Sequence, residues 1–388
     1  MHLQHSSGRM IQVILLLLII FGACNTYSYL TDMSNLTNSE NCVKLACWKV
    51  KYFEIMEKFV DINDHNKSLT ISNLFPSNTI HLAKFVTKIS EELRFPTRYY
   101  SQKSYVVRVD QADICKAAEF IGNITVKDIW LKIATLGYDN SGSPATLHKK
   151  TTNMKTWNCF VDLLHSDKVE YYYVSQHRSN FMHPKLRFAP IGLGSNHHLR
   201  SKLYWEDYKT LISHAKTYHK KVCSGGDSSS CHYNKVSLSI HVLDHGIRNE
   251  SLKKLYYLFG NATEIPNTYK LDYSREDSLR LWHFNTKSQF VWSPQGTHYD
   301  CWRHWESLYS ATIPIIPDKL VLRKIFGNLP VIYIDFDNPN VTCYEEISKQ
   351  YNSIINGTLE ELDLQRLSVD YWRNYISDCW DDKCRQII

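Results

Sequence analysis

The stretch QFVWSPQGTHYDCWRHWESLYSATIPII, residues 289–316, decides the fold. Gln289-Phe-Val-Trp292 is a short apolar run of strand length, ended by Ser-Pro and Gly296, residues that punctuate strands with turns. Asp300 is a good helix N-cap and predicts a helix from Asp300 to Ala311. Ile313-Pro-Ile-Ile316 reads as the next buried strand. The unit repeats on either side. Val236 to Val242 is an expected strand, followed by helices over Ser251 to Phe259 and Arg275 to Thr286. Asp318 to Phe326 is an expected helix and Pro330 to Ile334 a strand. Strands alternating with helices of about 8–12 residues predict an α/β fold, with a parallel sheet and right-handed crossovers.

Upstream the pattern is mixed. Ala112 to Phe120 has helical spacing, with Ile121 and Ile124 reading as strand-like. Val169-Glu-Tyr-Tyr-Tyr-Val174 alternates as a strand, Leu186 to Ile191 is another that runs into Gly192-Leu-Gly194, and Trp205 to Tyr218 is helical. Cys223-Ser-Gly-Gly-Asp-Ser-Ser-Ser-Cys231 is the most loop-like stretch and marks a boundary. The organisation expected is a leader at 1–24, a stem at 25–41, an N-terminal acceptor-side domain at 42–222, a linker at 223–234, a ligand-binding domain at 235–342 and a C-terminal helical segment at 343–388, the last reading as helix from Tyr344 to Cys384.

Composition bounds the function. The chain has 388 residues, 43% hydrophobic and 22% charged, which excludes wholesale disorder. A net charge of +6 without a dense basic stripe argues against nucleic acid and for a modest bias toward anionic ligands. Met10 to Cys24 is strongly apolar and follows Arg9. It reads as a cleaved signal peptide or a short uncleaved anchor, and either delivers the body to an oxidising lumen. The anchored form is a single-pass type II protein of the Golgi or ER membrane; the cleaved form is secreted. Asn-x-Ser/Thr acceptors at Asn35, Asn66, Asn123, Asn249, Asn261, Asn340 and Asn356 agree with a lumenal body. Of eleven cysteines, ten lie beyond the leader. Cys42 with Cys47, Cys223 with Cys231 and Cys379 with Cys384 are close enough in sequence to bridge locally, although spacing alone leaves pairing open.

The chemistry concentrates in the opening stretch. In an open α/β sheet, ligands sit beyond the carboxyl ends of the strands. A turn from Ser293 to Gly296 leading into a helix offers free N–H groups, and Arg303 in the first helical turn adds a guanidinium, a combination suited to phosphate. Arg303, Glu306 and Ser310 share one helical face, with Trp302, Trp305 and Tyr309 beside it for packing. The plain alternative is an Arg–Glu ion pair on a solvated face. Arg248, between a strand and a helix, is expected to overhang the same cleft, with an ordinary loop arginine as the alternative. His197 and His198, after Gly194, are candidates for a general base, His197 foremost. His219 and His232 near the Cys223–Cys231 pair match no zinc pattern, and His241-Val-Leu-Asp-His245 lacks the glutamate of a zinc protease. Asp335-Phe-Asp337 could hold manganese, but it lies after the last expected strand, so no metal ligand is assigned.

Ser293-Pro-Gln-Gly296, Asp300-Cys-Trp-Arg303-His-Trp-Glu306 and Ile313-Pro314-Ile-Ile316, in that order, resemble the donor-domain signature of exostosin-like glycosyltransferases, including the ribitol xylosyltransferase group. His183-Pro-Lys-Leu-Arg-Phe-Ala-Pro-Ile-Gly192 is similar to a segment of the same proteins. The resemblance covers about His183 to Asp335. It implies a GT-B-like architecture of two Rossmann-like domains facing across a cleft, and transfer of a sugar from a nucleotide sugar to a glycan or glycoprotein acceptor. Arg303 would contact the diphosphate and Glu306 the ribose, with Gly296 admitting the backbone and Ser293, Asp300 and Arg248 completing the donor site; no cofactor is implied beyond the donor itself. Two departures stand out. Relatives carry a charged residue at the position of Gln295, and a glycine at that of Ala311, which predicts a different helix exit here. A catalytically silent lumenal glycan-binding protein of the same fold is the rival expectation.

Overall fold

The structure, a computed structural model, describes residues 39–61, 63–70, 73–94, 103–124, 129–135, 154–175, 181–193, 203, 205–225, 233–238, 251, 253–255, 258–259, 263–264, 275–296, 298–336 and 344–377. The leader, most of the stem and the pair Cys379 and Cys384 lie outside them. Two five-stranded parallel sheets organise the chain. The first runs β1 (Ile80–His81), β2 (Lys103–Arg108), β3 (Ile129–Thr135), β4 (Val169–Val174) and β5 (Leu186–Phe188), side by side in that order. Helices Leu82–Arg94, Ile114–Gly122 and Met154–His165 connect the first four strands.

The second sheet holds β6 (Asn234–Leu238), β7 (Thr263–Glu264), β8 (Ser288–Trp292), β9 (Ile313–Pro317) and β10 (Ile332–Ile334), in the order β10-β9-β8-β6-β7. Every residue of β8 and β9 is buried, as expected for strands covered on both faces. The expected α/β class with parallel sheets is therefore present. The helix over Arg275–Thr286 has the expected ends, and the strands around it begin and stop within two residues of expectation wherever they are described. The helix Trp205–Cys223 runs further than expected; its buried positions Trp205, Tyr208, Leu211, Ile212, Ala215, His219 and Val222 form one apolar stripe.

Two expectations need correction. Ile121 is helical, not strand-like: with Ile114 and Ala117 it continues the buried stripe of Ile114–Gly122, and Asn123 is the C-cap. Nor do Cys47 and Cys223 bridge to their sequence neighbours; they bridge to each other, with Cα atoms 4.8 Å apart. Cys42 and Cys47 both lie on the helix Ser39–Phe59, where positions five apart point about 140° away from one another. That helix packs along Trp205–Cys223, which brings the distant cysteine within reach. A second disulfide, Cys115–Cys159, staples the crossover helices Ile114–Gly122 and Met154–His165.

The first and last described helices both cross over. From the first described helix, the fully buried Lys49 donates to the carbonyls of Thr286 (2.8 Å) and Ser288 (2.9 Å) and to Thr312 Oγ1 (3.2 Å), at the amino ends of β8 and β9. Its three N–H groups meet three acceptors, although burial pulls its pKa well down. At the other end, helix Val369–Ser377 returns to the first sheet: Tyr173 donates its hydroxyl to Tyr375 O (3.1 Å), Lys132 to Ser377 O, and Arg373 Nε to Asn73 O (2.7 Å). One apolar core runs through both sheets.

Candidate functional site

Strand order places the site. β6 has β7 on one side and β8 on the other, so the crossovers diverge at their carboxyl ends, the topological switch point where open α/β sheets bind ligands. The Ser293–Gly296 segment leaves β8 at this point. Ser293 N–H extends the ladder to Ile315 O (3.0 Å), and Gly296 N–H turns back to His298 O (3.2 Å). Trp292 fixes the floor, donating from Nε1 to Ser251 Oγ (2.8 Å) and packing on Phe336 with ring centroids 4.8 Å apart.

Below the turn is a buried polar cluster that sequence reasoning missed. His304 Nε2 lies 3.0 Å from Tyr299 O, and its Nδ1 lies 2.7 Å from Ser293 Oγ. A carbonyl only accepts, so Nε2 carries the proton and Ser293 donates to Nδ1. The Cys301 thiol sits 3.4 Å from the same nitrogen. Burial lowers the His304 pKa against the pull of Asp300 and Tyr299, which keeps the ring neutral. Ser293 thus orients a buried imidazole beneath the turn. The only sequence signal was an alternation of His and Trp in the helix, which reads equally well as packing.

Asp300 is not the N-cap. The helix spans Trp302–Tyr309, its N-cap is Cys301 in an extended conformation, and no side chain caps it. The Asp300 carboxylate instead accepts from Trp305 Nε1 (2.9 Å) and from the backbone N–H of Ile191 (2.7 Å), 109 residues away. Burial pushes its pKa up to about 7, opposed by His304 and by the Ile191 N–H. The segment after β5 therefore meets the loop that follows β8. Gly192 makes this possible. Its φ is +67° and a Cβ there would stand 2.2 Å from Leu69 O, while Leu193 N–H donates to that same carbonyl (2.7 Å). His197 and His198, further along this loop, lie outside the described residues, as does Arg248.

Arg303 and Glu306 do pair, Nη1 to Oε2, but not on a solvated face: their side chains are 14% and 6% exposed. Glu306 thus spends its carboxylate on the guanidinium rather than presenting it outward. Glu306 holds Nη1, and the rest of the five-donor fork has no protein partner among the described residues. Ser310, on the same face, is buried and bonds back to Ser307 O (2.8 Å). Trp305 and Tyr309 pack inward as expected, Trp305 stacked on Phe326 at 4.8 Å.

The helix exit is left-handed even without glycine. Ala311 has φ +52°, its N–H bonds Leu308 O (3.0 Å), and Thr312 N–H bonds Ser307 O (3.0 Å). That is the Schellman arrangement, so the expectation of a different exit is corrected: alanine takes the position that favours glycine. A further residue absent from the sequence reading is Lys254, buried at the end of β10, where it donates to Asp335 O and lies 6.0 Å from the Phe336 ring. Its place in an ordinary amphipathic pattern gave no signal. Asp337 lies outside the described residues, and among those described no three His, Cys, Asp or Glu side chains gather as a metal site. Among them, too, no helix is long and apolar enough to cross a membrane.

No family model matches the chain, and no curated protein matches it.

Proposed function

We propose that the chain is a glycosyltransferase of the secretory lumen, with a GT-B-like pair of Rossmann-type units, that moves a sugar from a nucleotide sugar to a glycan or glycoprotein acceptor. The observation that carries this reading is Arg303, held by Glu306 in the helix that follows the Ser293–Gly296 turn, at the carboxyl edge beside the β6/β8 switch point. A diphosphate there would meet the open edge of a fixed guanidinium, whereas within the turn the Ser293 and Gly296 N–H groups are already held by Ile315 O and His298 O. Glu306 acts as a positioning residue, keeping the fork in one orientation, and its ribose role is dropped because the carboxylate is buried against Arg303. Ser293 and Asp300 hold the turn from beneath, through His304 and Trp305.

In the proposed reaction the acceptor hydroxyl attacks the anomeric carbon and the bond from that carbon to the diphosphate oxygen breaks. The diphosphate leaves with the bonding pair, steadied by Arg303. A base on the loop continuing from Ile191, where His197 stands, takes the hydroxyl proton. Positive side chains do the work of charge neutralisation, so turnover is expected to survive a chelator.

The test is a panel of nucleotide sugars against the purified chain, read by thermal shift and sugar release. One donor class is expected to raise the melting temperature and to be turned over. Failure of every nucleotide sugar in both readouts would remove the enzymatic reading.

A further inference from the structure

Two of the asparagines in Asn-x-Thr triplets stand where a large, permanent, hydrophilic substituent fits, and both lie on the side of the molecule away from the proposed donor site. Asn123 is exposed and is the C-cap of helix Ile114–Gly122, which joins β2 to β3. A crossover helix runs antiparallel to its strands, so its C-terminal end lies at their amino edge. Asn356 is exposed and ends helix Tyr344–Asn356, followed by Gly357 and an exposed Thr358. Its Oδ1 accepts from Lys44, on the helix whose Lys49 reaches the amino ends of β8 and β9. Asn356 is therefore at the amino edge of the second sheet. The contact uses the oxygen of the side-chain amide and leaves Nδ2, the atom that carries an N-linked sugar, open. The Cys47–Cys223 and Cys115–Cys159 disulfides fit the oxidising compartment in which such sugars are added.

We infer that Asn123 and Asn356 carry N-linked oligosaccharides, one at the amino edge of each sheet. This extends the lumenal part of the proposed function and is independent of the transferase activity. In each case Nδ2 forms a bond to the anomeric carbon of an oligosaccharide carried on a lipid diphosphate, the amide loses one proton, and the lipid diphosphate leaves. The exposed Asn66 is set apart because its triplet is folded into the structure: Ser68 is buried, and Arg373 holds the Asn66 carbonyl.

The experiment is peptide mapping by mass spectrometry of the full chain expressed in and purified from eukaryotic cells, with enzymatic release of N-glycans in heavy-oxygen water and disulfide mapping of the same sample. The expected result is glycan occupancy at both asparagines, with Asn123→Gln and Asn356→Gln each removing one mobility step and the double variant two. Unmodified asparagines in a chain with both disulfides formed would overturn the glycan assignment and leave the lumenal reading standing. Unmodified asparagines together with reduced cysteines would overturn both.

Discussion

Asp300 shows how a single carboxylate can be misjudged from its neighbours. Beside a helix start it reads as a cap, but the helix begins one step later and the side chain turns to Trp305 and to a backbone N–H from the other half of the chain. No local pattern could reveal a partner 109 residues away. Its raised pKa has a consequence with a definite sign. Between about pH 4 and pH 7 the unfolded chain has released the Asp300 proton and the folded chain retains it, so this group's contribution to stability falls as pH rises through that window. His304, whose pKa is lowered by burial, works the other way below its ordinary value. Asp300→Asn removes the first contribution and also takes from His304 the charge that opposes its lowering, and both changes favour the variant as pH rises. Denaturation between pH 4.5 and 8 (a range of ~3.5 units) should show the variant gaining on the wild type as pH rises, on the order of 1–4 kcal/mol in total; parallel curves would contradict this. Ala311 gives a second residue-scale test. At φ +52° glycine is at ease, alanine tolerable and a β-branched residue badly strained. Ala311→Gly should stay within about 1 kcal/mol of wild type, and Ala311→Val should lose about 2 kcal/mol or more in urea unfolding.

At the scale of elements, the β8-turn-helix-β9 unit was legible because each piece carries its own signal: two apolar runs of strand length, a Ser-Pro and glycine break, and a helical stripe of aromatics. The extension of Ile114–Gly122 through Ile121 was not, because a pair of isoleucines fits a strand or a buried helical turn equally well. Disulfide pairing was illegible for a different reason. It depends on two helices lying side by side, which is a property of packing and not of spacing. The Cys47–Cys223 bridge closes a separation of 176 residues. Chain-entropy arguments give such a bridge up to about 5 kcal/mol, and removal from native proteins costs about 2–5 kcal/mol. Replacing both cysteines by serine should lower the unfolding free energy by that amount, with the helical circular dichroism signal retained at 25 °C (roughly the reference temperature of these magnitudes). Loss of less than about 0.5 kcal/mol would mean that the helix pair is held by its apolar seam alone.

For the whole molecule, two parallel sheets share one core, and the first and last described helices are exchanged between them. The helix bearing Lys49 fastens to the amino ends of β8 and β9, and helix Val369–Ser377 fastens to β3 and β4. The two sheets fall on either side of the serine-rich stretch, within 80–188 and 234–334, and these two helices find partners hundreds of residues away in sequence. The two halves also touch at Ile191 and Asp300, which sets the loop after β5 against the turn after β8. The loop that follows β8 is thus braced from both halves of the chain. The central proposal is that Arg303, fixed by Glu306 beside the turn, holds an anionic diphosphate.

Arg303→Lys tests this most directly. It keeps a positive partner for the buried Glu306, whereas Arg303→Ala would strand that carboxylate at a cost of about 3–5 kcal/mol. The measurement is calorimetric affinity for nucleoside diphosphates, wild type against Arg303→Lys, with melting temperatures recorded for both. The wild type is expected to bind, and the variant, melting within a few degrees of it, to bind at least about tenfold more weakly. Equal affinity in the two proteins, or no binding to the wild type, would contradict it.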